Sequence, residues 1–318
     1  MFGWTDGRYC DGGSFTGDRN DPITVNGSKV WFRGRRNLLA LLGYLTEQHG
    51  LADATEVLVS GGSAGGLSAY IHADSIHSII LRASNKHPAG FGRALKIRAA
   101  PVSGFFLNHR TLSGSASYEA SMRRTFMLMN STSGVNAACA AAHRHHADEW
   151  RCIFANESWS HSATPTFLLN SAIDAYQISD ILGLPNKRCA GLNVGVPKVP
   201  GPQMANCSRS ELAAIAQYER DFVRDVRASP AFGRAGAGGF IESCVEHCEA
   251  MADGWQTVNS TRDGVTMQQA LTAWWNQDGV VDPGRPGAPR PAEGHWHLPC
   301  SVNVEGPVGQ CNPSCTVK

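Results

Sequence analysis

The chain has 318 residues, and 28 Lys+Arg against 27 Asp+Glu leave a formal charge of +1, which is not the electrostatic footprint of a nucleic-acid-binding protein. Hydrophobic residues make up 42 % and charged ones 17 %, against a usual ~25 % charged, the composition of a folded globular chain. No apolar run approaches the roughly 18 residues of a membrane-spanning helix, and the 34 glycines follow no G-X-Y period, which excludes collagen.

Residues 1–30 are turn-rich, punctuated by Asp11-Gly12-Gly13, Gly17-Asp18 and Asn26-Gly27. From about Val30 to His49 the apolar residues Val30, Leu38, Leu41, Leu42 and Leu45 fall at helical spacing, and Gly50 ends the pattern. Thr55–Ser60 reads as a short buried strand, and a helix is expected over Leu67–Leu81 after the glycine cluster at 61–66. Two more strands are expected at Thr166–Asn170 and Gly239–Ser243. Apolar strands separated by helical stretches indicate an α/β fold with a mainly parallel sheet flanked by helices. Residues 183–208 read as a loop-rich insertion, 281–318 as a Pro/Gly-rich tail stapled by its cysteines, and no internal repeat is present.

Ten cysteines, most of them in the second half, point to an oxidising compartment and disulfide-stapled loops. The Asn-x-Ser/Thr sequons at Asn26, Asn130, Asn156, Asn206 and Asn259 agree with residence in the secretory lumen or outside the cell. The first residues, Met1-Phe2-Gly3-Trp4, form neither the basic segment nor the apolar core of a signal peptide.

The most informative segment is Ser60-Gly61-Gly62-Ser63-Ala64-Gly65-Gly66, a G-x-S-x-G between a predicted strand and a predicted helix. A serine on such a turn stands at the sheet edge over a helix N-terminus, where the Ala64 N–H can donate to an oxyanion. The same residues could instead form a plain tight turn or a phosphate loop, but G-x-G-x-x-G and the Walker lysine are both missing. A serine nucleophile needs a base and an acid that orients it, in the chain order Ser, Asp/Glu, His. Asp174, just past the strand at 166–170, and His247, just past the strand at 239–243, supply that order. Cys244 and Cys248 flank His247 and could fix its loop covalently.

The remaining histidines read as structural. His143, His145 and His146 share a segment with Arg144 and Asp148 and are taken as a solvated helix face. His295 and His297 form an H-x-H, and His297 with Cys311 and Cys315 imitates a zinc knuckle, but the cysteine load favours disulfides. No metal or organic cofactor is expected.

Seven stretches follow one another along the chain: Arg8–Asp18, Trp31–Gly34, Val59–Leu67, Gly104–Phe106, Phe167–Ile178, Phe240–Cys248 and Cys311–Cys315. They resemble the pectin acetylesterase family, whose animal relatives include the Notum carboxylesterases, from about residue 8 to the C-terminus. The resemblance implies an α/β-hydrolase-like fold and a triad of Ser63, Asp174 and His247, the three residues reached from spacing. It also implies secretion and hydrolysis of acetyl esters on pectin or a related cell-wall polysaccharide, by a monomer that contacts neither membrane nor nucleic acid. Phe106 matches a pocket-wall position of the Notum branch, which makes it a substrate-binding candidate. Ser103 stands where the family often has an acidic or small residue, which bears on pocket polarity. Family members also carry an upstream strand and a Gly-Gly-Gly-Trp-Cys-like loop that supplies further oxyanion donors, and nothing before Arg8 matches it. The chain is therefore expected to be one domain over residues 1–318, truncated at its N-terminus and missing N-terminal strand(s). The rival readings are a Notum-like lipid carboxylesterase and a non-catalytic relative that binds glycans.

Overall fold

A computed structural model describes residues 10–86, 95–184, 204, 206–277, 295–302, 304 and 311–315. Most of the insertion expected at 183–208 and much of the tail lie outside the described residues. Strands β1 (Ile23–Val25) and β2 (Ser28–Val30) form an antiparallel hairpin. Its tip, Asn26-Gly27, has both φ angles positive, which matches the right-handed twist of the two strands. Helix α1 then runs Gly34–Gln48, four residues shorter at its start than the apolar spacing suggests, because Val30 pairs in the hairpin.

The central sheet takes β3 (Glu56–Gly62), β4 (Lys96–Val102), β5 (Phe167–Ser171), β6 (Gly238–Glu242) and β7 (Trp296–His297) in that spatial order, all parallel. The helices between them are α2 (Ala64–Lys86), α3 (Ser117–Met129), α4 (Ala137–His143), α5 (Ala155–His161), α6 (Arg209–Ala228), α7 (Gly254–Thr257) and α8 (Met267–Trp275). Residues on β5 and β6 alternate between two apolar clusters, as a sheet covered on both faces requires. Leu168 and Ile241 join Tyr70, Trp159, Ile215 and Phe222 on one face. Phe167, Leu169 and Phe240 pack against Met267, Ala270 and Trp274 of α8 on the other.

Strand β4 carries Lys96, Arg98 and Pro101, which hide it from hydrophobic patterning. Arg98 is buried, and its guanidinium donates to the carbonyls of Trp274, Trp275 and Gln277 at the end of α8. Ala99 and Ser103 donate to Pro165 and Leu169 on the β5 side, while Pro101 between them has no N–H to give. The β4–β5 ladder is correspondingly thin, with Val102 opposite Leu169 and one isolated bridge from Ala99 to Thr166.

Disulfides join Cys139 to Cys152, Cys244 to Cys315 and Cys300 to Cys311, and Cys207 is disulfide-bonded as well. The stapled reading of the tail therefore holds for its described part. His143 departs from the solvated-face reading: it is half-buried, with Nε2 3.3 Å from Glu157. His145 and His146 are exposed. His297 lies over Phe240 and pairs with Asp263 at 3.4 Å rather than with Cys311 or Cys315.

Behind α2 lies the loop that contains Asp11 and Ser14. The buried carboxylate of Asp11 accepts the amides of Gly13, Gly17 and Gly34, which holds the loop closed. Its Ser14 hydroxyl donates to the Ala64 carbonyl at 3.0 Å, and the Ser14 carbonyl accepts from His72 Nε2 at 2.9 Å. The loop thereby braces the first turns of α2.

Candidate active site

Ser63 is the single residue between β3 and α2, and its φ of +56° lies in the left-handed region that non-glycine residues avoid. That turn is the nucleophile-elbow geometry expected from the G-x-S-x-G. It packs against the end of β4 because glycines stand at the points of closest approach. A Cβ on Gly66 would collide with the Val102 carbonyl, and one on Gly104 would collide with the Gly66 backbone. The elbow is tied to its neighbouring strand by the Ser63 N–H, which donates to Val102 O at 3.0 Å. Ala64 opens α2, so its N–H is one of the amides without an intrahelical acceptor, at the positive end of the helix dipole.

Asp174 stands three residues past the end of β5 and is fully buried. Its Oδ1 accepts the Gln177 amide at 3.1 Å, and its Oδ2 accepts His247 Nδ1–H at 2.8 Å. The tautomer follows from the partner: an ionised carboxylate only accepts, so Nδ1 carries a proton, and in the neutral imidazole Nε2 is the nitrogen with the free lone pair. Burial pushes the Asp174 carboxyl above its ordinary range, and its hydrogen bonds with His247, Gln177 and Tyr176 pull the other way without cancelling it. Burial alone would lower the His247 pKa. The hydrogen bond the imidazole donates to Asp174, with a smaller one to the Cys248 sulfur, outweighs it and holds the imidazole up at about 10 rather than 6.5.

The structure thus joins Asp174 to His247 directly. It brings the His247 loop against the elbow through neighbours: Cys248 Sγ lies 3.4 Å from where a Gly62 Cβ would stand, beside Met251. A hydrogen bond from the Ser63 hydroxyl to the imidazole is not formed among the described residues. Of the two cysteines flanking His247, Cys244 fixes the loop covalently to Cys315, whereas Cys248 keeps its thiol. Phe106 is buried, with its ring centroid 6.3 Å from that of His247 and 5.5 Å from that of Tyr176.

Tyr176 is a site residue that the sequence reading does not single out, and Ser103 and Cys248 are read there for pocket polarity and a covalent staple, not for the bond that joins them. Tyr176, 5.6 Å from His247 between ring centroids, completes an aromatic wall with Phe106. Ser103 and Cys248, both at positive φ, are linked by a hydrogen bond from Cys248 N to Ser103 Oγ at 2.9 Å. The one available signal is position, since each sits within three residues of a residue already singled out.

The pectinacetylesterase family model matches residues 6–291. Pectin acetylesterase 7 of Arabidopsis thaliana is 24 % identical over 97 % of this chain and 68 % of its own length. Pectin acetylesterase 5 of the same plant is 25 % identical over 84 % of this chain, which spans 58 % of that relative. Palmitoleoyl-protein carboxylesterase NOTUM of Drosophila melanogaster is 24 % identical over 84 % of the chain and 34 % of its own length. Among solved structures, the Wnt deacylase Notum from Drosophila has the same fold, with a TM-score of 0.65 at 20 % identity, covering 97 % of this chain and 72 % of that one. With the family model extending over most of its length, the chain belongs to the pectinacetylesterase family of carboxylic ester hydrolases.

Proposed function

We propose that this protein removes acetyl groups from pectin or a related cell-wall polysaccharide, with Ser63 as nucleophile, His247 as general base and Asp174 as its orienting acid. The hydrogen bond of 2.8 Å between buried Asp174 and His247 Nδ1, in a loop packed on a G-x-S-x-G turn, is the observation that carries this reading. In the first step His247 Nε2 takes the Ser63 hydroxyl proton as Oγ attacks the ester carbonyl. The tetrahedral oxyanion is stabilised by the Ala64 N–H and the α2 dipole. Collapse returns the proton to the leaving sugar oxygen and leaves an acyl-enzyme, which water activated by His247 hydrolyses. The described chemistry asks for no metal or organic cofactor.

Secretion is part of the proposal. It is supported by the disulfides, which persist in oxidising compartments, and by the five sequons, of which Asn26 stands exposed at the hairpin tip. Among the described residues no helix is long and apolar enough to cross a membrane. The Phe106–Tyr176 wall beside His247 favours an apolar acyl group and keeps a longer-chain lipid ester as the second reading.

Labelling with a fluorophosphonate probe and assay of acetate release from acetylated pectin test the proposal together. The expected result is labelling and acetate release, both lost in Ser63→Ala. A folded protein that is neither labelled nor active overturns it in favour of a glycan-binding role.

A further inference from the structure

The end of β4 touches every segment that carries a triad residue. The Val102 carbonyl accepts the Ser63 N–H at 3.0 Å, and the next residue, Ser103, donates its N–H to Leu169 O on β5 at 2.7 Å. Asp174 follows that strand. The Ser103 hydroxyl oxygen accepts the Cys248 N–H at 2.9 Å, one residue past His247. We propose that Ser103 is a positioning residue of the esterase site, holding the His247 loop in register with the Ser63 turn through the Cys248 amide.

Upstream of His247 the loop is held at other points, including the Ser171 hydroxyl, which donates to the Cys244 carbonyl at 2.6 Å. At its start Cys244 is bonded to Cys315, and in its middle the Glu246 carbonyl accepts the Ala175 N–H at 3.2 Å. Beyond His247, the Ser103 hydroxyl accepts the Cys248 amide, and that residue is itself in the left-handed region at φ +64°. Ser103 is buried and also left-handed, at φ +47°. Glycine would adopt that backbone without strain, so a serine kept there spends conformational energy to place an oxygen. Removing the oxygen deletes the acceptor of the Cys248 amide, whereas the Ser103 N–H bond to Leu169 does not depend on it. A catalytic group displaced by about 1 Å loses on the order of 10²-fold in rate, while uniform substrate binding is little affected.

This inference rests on the triad reading, and the experiment separates the two. Ser103→Ala and Ser103→Gly both lack the acceptor, but glycine also relieves the left-handed strain. The expected result with p-nitrophenyl acetate is a kcat lower by roughly 10- to 100-fold in both variants, with KM within about twofold of native. Ser103→Gly should melt no lower than native while remaining as slow as Ser103→Ala, so that lost activity is not lost stability. Native kcat in either folded variant overturns the proposal, and Ser103→Gly carries the comparison if Ser103→Ala does not fold. Proton NMR in a Ser63→Ala background gives a readout independent of turnover, through the low-field His247 Nδ1 proton. Its loss or upfield movement on adding Ser103→Ala supports the positioning role, and an unmoved resonance overturns it. Native hydrolysis by Ser63→Ala itself would sink the triad reading, with the resonance still deciding the role of Ser103.

Discussion

His247 Nδ1 meets Asp174 Oδ2 at 2.8 Å although 73 residues separate them in the chain. The two residues leave the C-terminal ends of β5 and β6, which are paired in register from Phe167 opposite Gly238 to Ser171 opposite Glu242. Because the pair holds the imidazolium above the ordinary 6.5, the neutral base forms at higher pH than in a free histidine. The acid limb of kcat/KM is expected to have its midpoint above 6.5, with activity rising as pH rises through it. Asp174→Asn should drop kcat by about 10³- to 10⁴-fold through the wrong tautomer and move that midpoint downward. A pH–rate profile of the residual activity checks both, and an unmoved midpoint would count against the pair.

The aromatic wall predicts acyl-chain selectivity. Phe106→Leu opens space beside His247 and Tyr176 without removing the apolar lining. The ratio of hexanoyl to acetyl p-nitrophenyl ester hydrolysis, as kcat/KM, should rise by roughly 3- to 10-fold, within the reach of one or two methylenes of pocket volume. An unchanged ratio would place the acyl group elsewhere.

Close approach of α2 to β4 sets a strict steric limit at residue 104. In Gly104→Ala the added methyl collides with the Gly66 backbone, and neither side can swing away. Urea unfolding should show a loss of about 1–3 kcal/mol at unchanged m, the range for overpacking a tight core. Fluorophosphonate labelling of Ser63 should slow in parallel, since the same contact positions the elbow.

His72 links pH to the brace behind α2. Burial lowers its pKa to about 4, more than the Ser14 carbonyl raises it, and Arg35 lowers it further. A depressed histidine gives stability that is complete above 6.5 and is lost as pH falls toward 4, because the unfolded chain binds the proton first. The span corresponds to about 3 kcal/mol. In His72→Gln, which keeps a donor for Ser14 but cannot ionise, the fall in urea midpoint between pH 7 and pH 4 should shrink. An equal fall in both proteins would assign the acid sensitivity to other groups.

Much of this site is legible in the sequence because its signals are local. The G-x-S-x-G lies between a β-branched run and a helix, and Asp174 and His247 each follow an apolar strand, so position along the chain stands in for position in space. Strand β4 is not legible that way. Its Arg98 is buried by capping α8 carbonyls 176 to 179 residues away, and Pro101 breaks the local pattern without breaking the strand. The pairing of Ser103 with Cys248 escapes for a related reason: it spans 145 residues and involves a backbone amide, which leaves no trace in residue type. Helices α6 and α8 carry capping boxes, Ser208 with Glu211 and Thr266 with Gln269, which local rules could have found.

The bond between Cys244 and Cys315 fastens the far end of the chain to the strand exit three residues before His247, closing a circuit of 71 residues. Thiol reductants should therefore act on turnover through tether length rather than through the reacting atoms. Protein made in a reducing cytosol would emerge with its imidazole arm slack, and reoxidation after purification would be the step that restores the geometry.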